Sequence, residues 1–140
     1  MRTRVSTLLL VLVLALPACS LVHDPNNASE GIRTEYLPQH WLHSYEEDLA
    51  FDRVQIYRPI DFKEFPPSRF RMQYVFRRNG DCDWFYLAPD DGHHFRAGIW
   101  RLDPQDETVL HVEQGEQTAS YRIIKLKKNL LRMEPLRRYD

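Results

Sequence analysis

The chain has 140 residues, the size of one domain with a single core, and its 19 basic and 20 acidic groups leave a formal charge of −1. That balance argues against a nucleic-acid partner, because neutralising phosphates through bulk charge needs a basic excess. Two cysteines, Cys19 and Cys82, are too few for a disulfide scaffold.

At the start, Arg2 and Arg4 precede an unbroken apolar run, Leu8 to Leu16, and Pro17-Ala18 leads into Cys19. The run is short of the roughly 20 apolar residues that a membrane-spanning helix needs, and polar residues follow at once, so it reads as a cleaved secretory signal. Leu16, Ala18 and Cys19 resemble the lipobox of bacterial lipoproteins. The resemblance implies removal of residues 1–18, diacylation of the Cys19 sulfur and acylation of the new amino terminus. An ordinary signal peptide with an incidental cysteine is the alternative. Ser20 stands where aspartate is associated with inner-membrane retention, so the resemblance implies a lipid-anchored protein of the cell envelope at the outer membrane, facing the periplasm.

Removing residues 1–18 takes out two arginines and no acid, leaving 122 residues with 17 basic and 20 acidic groups. If Cys19 carries lipid, Cys82 has no partner in the chain. Asp81 and Asp83 disfavour its thiolate, so it reads as a buried structural thiol or an intermolecular contact rather than a nucleophile. Residues 19–32 are polar and turn-prone, a flexible tether after the lipidated cysteine. At the other end, residues 121–140 carry seven basic groups against Glu134 and Asp140, a pattern that fits a solvated strand face better than a membrane-binding patch.

Tyr36 to Asp48 holds either a first strand or a short helical turn. Val54 to Arg58 is a strand stopped by Pro59, and the segment from Ile60 to Ser68 is barred from a ladder by Pro66-Pro67. Its apolar residues Ile60, Phe62 and Phe65 predict a plug over one barrel end or a contact surface. Arg69 to Arg77 alternates, with Phe70, Met72, Tyr74 and Phe76 on one face and Arg69, Arg71, Gln73 and Arg77 on the other. Asn79-Gly80 predicts a type I′ hairpin. Further strands are expected at Cys82–Leu87, His94–Leu102, Thr108–Glu113, Ala119–Lys127 and Leu130–Glu134, separated by turns rich in Asp, Gly and Pro.

Eight strands about ten residues apart, joined mostly by short turns, predict an all-β domain over 33–140. The expected form is an antiparallel up-and-down meander closed into a small barrel, with an open half-barrel or sandwich as the alternative. Trp41, Ser44, Glu46-Glu47, Tyr57-Arg58-Pro59, Pro66-Pro67-Ser68-Arg69 and Gly98-Ile99-Trp100 together resemble small lipocalin-like domains of bacterial lipoproteins. The resemblance implies a lipocalin-like barrel and an ion pair between Glu46 or Glu47 and Arg58 or Arg69. An eight-stranded interior is either filled by side chains or holds one small ligand.

Two functions follow. One is a carrier of a small apolar or amphipathic ligand, with Trp41, Phe62, Phe65, Tyr74, Trp84 and Trp100 as candidate contacts. The other is a module with a filled barrel that binds an envelope protein, as an assembly factor or hydrolase inhibitor would. A lined cavity favours the first; a filled core with exposed Phe62 and Phe65 favours the second. The run Asp90-Asp91-Gly92-His93-His94 and the pair His40 and His43 are the metal-capable clusters, but turn chemistry accounts for the first and a helix would be needed for the second. No catalytic motif, cofactor fingerprint or metal site is expected.

Overall fold

Every strand of this domain finds two neighbours. The computed structural model describes residues 32–89 and 92–137; the signal segment, Cys19, the tether up to residue 31, and Asp90-Asp91 lie outside the described residues. The strands are β1 (His40–His43), β2 (Gln55–Pro59), β3 (Gln73–Phe76), β4 (Asp81–Leu87), β5 (His93–Leu102), β6 (Val109–Gln114), β7 (Gln117–Lys127) and β8 (Leu130–Arg137). They form a closed antiparallel barrel, with no α-helix among the described residues. Two 3-10 turns, Thr34–Tyr36 and Tyr45–Glu47, flank β1, so the ambiguous early stretch contains both a strand and helical turns.

Strands β3 to β8 follow one another as a meander, and β1 is inserted between β2 and β3. Both neighbours run antiparallel to β1. The chain leaving β2 must therefore return the length of the barrel before starting β3, and residues 60–72 do this as a strap along the outside of β1. Leu42 shows the cover: alternation turns it outward between Trp41 and His43, yet it is only 7% exposed.

The alternating face of β3 is confirmed at Tyr74 and Phe76, but the ladder begins only at Gln73. Arg71 precedes it, escapes the alternation and is buried instead of lying on an outer face with Arg69 and Arg77. The turn into β4 is also different from the type I′ expectation. The Gly80 N–H donates to the Arg77 carbonyl at 3.1 Å, and Gly80 alone takes positive φ, +90°. That is a type I turn closed by a glycine bulge, which asks nothing unusual of Asn79.

The interior is filled. Trp41, Tyr57, Tyr74, Leu110, Val112, Leu131 and Met133 are each 1% exposed or less. Full burial of one large apolar side chain contributes about 1.5–3 kcal/mol, so this layer supplies much of the stability. Its polar atoms are satisfied: the Tyr74 and Tyr121 hydroxyls meet at 2.7 Å, and Trp41 Nε1 donates to the Leu37 carbonyl at 2.9 Å. On the outside of β7, Arg122, Ile124, Lys125 and Lys127 are exposed, so the basic run there is a solvated face.

Candidate functional site: the barrel mouth and its outer clasp

At the end where β4 and β6 finish, the core stops short of the rim and leaves a cleft of about 210 Å³. Met72, Tyr74, Trp84, Tyr86 and Tyr121 supply an aromatic wall, and Gln117, Thr118 and Ala119 of β7 close the far side. A second cleft of about 190 Å³, reaching His43, Tyr45 and Tyr57, adjoins it across Met72 and Tyr121. Each is smaller than the roughly 300–1,000 Å³ of a drug-sized site.

The six candidate contact residues do not line one cavity. Tyr74 and Trp84 come together in the first cleft. Trp41 is sealed in the core. Trp100 sits at the opposite end of the barrel, its Nε1 donating to the Arg77 carbonyl at 2.8 Å. Phe62 and Phe65 lie on the outer strap. Phe62 is 40% exposed with the Arg58 guanidinium 4.4 Å from its ring centroid, and Phe65 is half-buried between Lys63 and Arg71. Tyr86 and Tyr121 line the cleft without being among the six candidates; Tyr86 shares a strand face with Trp84, a signal that the alternation of β4 carries.

Outside the barrel, the two acids of the 3-10 turn after β1 gather three cations. Glu47 accepts from Arg58 Nε at 3.0 Å and Nη2 at 2.7 Å, from Lys63 Nζ at 3.3 Å and from the buried Ser44 hydroxyl at 2.7 Å. The Arg58 guanidinium holds the Glu47 carboxyl down to about 2 against the opposing effect of desolvation, and the Ser44 and Lys63 hydrogen bonds act in the same direction as Arg58. Glu46 pairs with Arg71, not Arg69, at 2.9 Å. Arg71 also donates to the carbonyls of His43 and Pro66 and lies 4.2 Å from the Tyr45 ring centroid. Arg69 contributes its carbonyl to His93 Nε2 at 3.1 Å. The arrangement is a clasp: one turn fastens β2, the strap and the lead-in to β3.

The metal-capable pairs separate. His40 and His43 stand on opposite faces of β1, the first beside Gln73 Oε1, the second stacked on Tyr57 and 2.8 Å from Asp48 Oδ2. His93 faces outward against Phe70 and Phe85, whereas His94 faces the mouth beside Tyr86. Among the described residues no three His, Cys, Asp or Glu side chains are grouped to hold an ion. Cys82 is buried, and burial together with Asp83 pushes its thiol up to about 11. No protein-family model, no curated protein and no solved structure matches the chain.

Proposed function

We propose that this is a lipid-anchored protein of the cell envelope, held at the outer membrane through Cys19 and facing the periplasm, whose barrel binds another protein through its surface. What supports the anchor is the lipobox-like run ending at Cys19. The filled interior is the observation that carries the binding mode, since seven large side chains occupy the space a carrier would need to keep open. Apolar side chains are instead displayed outside. Phe51 is fully exposed at a loop tip in a left-handed conformation, and Leu49, Phe62 and Phe95 are exposed as well. No residue pattern calls for catalysis, a cofactor or a metal. A second reading, a small amphipathic ligand, is favoured only by the aromatic cleft at the mouth.

Two experiments test the reading. Cys19→Ala should leave the protein soluble in the periplasm or with its signal uncut; unaltered membrane fractionation would refute the anchor. A photo-crosslinking residue placed in living cells at Phe51, Phe62 and Phe95, with Ile124 as a control on the basic face, should capture one defined protein from a subset of positions. Indiscriminate or absent capture at all four would refute the surface-binding module.

A further inference from the structure

We propose that the upper edge of β5, His93–Gly98, is a strand-addition site for an extended segment of a partner protein that alternates apolar residues with carboxylates. The proposal rests on the surface-binding reading above and names where that surface is.

The argument begins with the ladder. β5 pairs with β4 along its whole upper half, from Asp81↔Ile99 to Leu87↔His93. On its other side it pairs with β6 only from Ile99↔Glu113 to Leu102↔Leu110. β6 ends at Gln114 and turns back through Gly115-Glu116, so β5 rises about 17 Å beyond its neighbour. Gly98 marks the departure: a Cβ there would stand 2.3 Å from the Glu113 carbonyl oxygen, so only glycine allows the last close contact with β6. Barrels abolish edges, and this one keeps an edge at its rim.

The direction of the free backbone groups follows from the ladder's alternation. The Trp100 N–H donates to the Gly80 carbonyl on the β4 side, and the Asp103 N–H donates to the Val109 carbonyl on the β6 side. Odd-numbered residues of β5 therefore face β6 or, above it, open space. Phe95 and Ala97, both exposed, present their N–H and C=O groups to that side.

Both faces of the edge say what would add to it. Toward the mouth stands Arg96, whose partners are the Tyr86 ring, 3.5 Å from its centroid, and His94 Nε2 at 3.4 Å; no described carboxylate meets it. An inward carboxylate opposite Arg96 and apolar neighbours toward the aromatic wall match this face. Outward, Phe95 is 43% exposed and continues the row of Phe85 and Phe70, stacked 5.6 Å apart, which suits an apolar side chain beside it. A second copy pairing edge to edge would set Arg96 opposite Arg96 or His94, so no carboxylate would meet it, which disfavours self-association. Strand addition takes affinity from main-chain hydrogen bonds and specificity from such alternate contacts.

The test is selection of a phage-displayed random dodecapeptide library on the acylated protein in detergent micelles, then hydrogen exchange with the synthetic consensus peptide. Selected peptides should alternate apolar residues with Asp or Glu and slow exchange at the Phe95 and Ala97 amides, leaving that of Trp100 unchanged. Ala97→Pro removes an edge donor without touching the β4 ladder, so it should weaken the peptide about tenfold or more at unchanged thermal stability. Arg96→Glu should turn the preference from Glu-bearing to Lys-bearing peptides. Binding that leaves the two amides unprotected, or is indifferent to Arg96→Glu, overturns the proposal, and so does a peptide-free dimer that protects them. Should native mass spectrometry find a small molecule in the barrel, the surface-binding reading fails; an unprotected edge on a protein that carries no small molecule sinks the strand-addition site alone.

Discussion

The Arg58 guanidinium grips the Glu47 carboxylate through two parallel hydrogen bonds, Nε to Oε2 at 3.0 Å and Nη2 to Oε1 at 2.7 Å. The two residues lie eleven positions apart and belong to different elements, so the pair fixes the 3-10 turn after β1 against β2. Lys63 joins the same carboxylate from the strap, which makes Glu47 the point where the inserted strand and its bypass are tied together.

Glu47→Gln should lower stability by about 1–3 kcal/mol, because Arg58 loses its charged acceptor while the site stays polar. The wild-type protein should show the same linkage by titration. Glu47's folded value, about 2, lies below the ordinary 4.5, so the unfolded chain binds its proton first and stability falls as pH drops from about 4.5 toward 2. Urea midpoints measured across that window check both statements, and Glu47→Gln should flatten the acid slope. An unchanged slope would mean that the pair is not formed in solution.

Arg71 is only 8% exposed and answers Glu46, two backbone carbonyls and the Tyr45 ring. Arg71→Ala strands all of them and should cost about 3 kcal/mol, read by thermal or denaturant unfolding. Arg71→Lys should recover part of the loss, since an ammonium restores the charge but not the fork. If Arg71→Ala unfolds like wild type, the strap is not held as described.

Gly98→Ala forces a methyl against the Glu113 backbone at 2.3 Å, where no flexible side chain can yield. It should destabilise by about 1–3 kcal/mol and shift amide resonances along β5 and β6. Tolerance without shifts would contradict the close approach that frees the β5 edge.

Cys82 should react with an aromatic disulfide reagent only after denaturation, because its burial raises the thiol to about 11 and hides the sulfur. Rapid labelling of the native protein would place the thiol at the surface.

The barrel itself was legible in the sequence. Alternation at Tyr74 and Phe76, the Asn79-Gly80 turn and the regular strand spacing all report short-range geometry, which local residues control. The insertion of β1 between β2 and β3 was not, because it depends on pairing Trp41 with both Pro59 and Tyr74 across the chain. The misplacement of Arg71 has the same origin: its residue type and its spacing from Gln73 fit a solvated strand face, and only the late start of the ladder lets it be buried in the clasp. The ion pair was half legible. Glu47 and Arg58 meet, whereas the partner of Glu46 lies two residues past Arg69. The candidate contacts scattered because aromatic content does not say which residues of a barrel share a depth. Trp41 and Trp100 ended in the core and at the far end, and only Tyr74 and Trp84 share the mouth.

Native mass spectrometry of the protein, extracted from its source cells in mild detergent, tests the filled barrel most directly. The account predicts the mass of the polypeptide with its proposed anchor and nothing more, since Trp41, Tyr57, Tyr74 and their neighbours fill the interior below two small clefts at the mouth. A reproducible adduct of a few hundred daltons, on the order of a drug-sized ligand and released on unfolding, would contradict it.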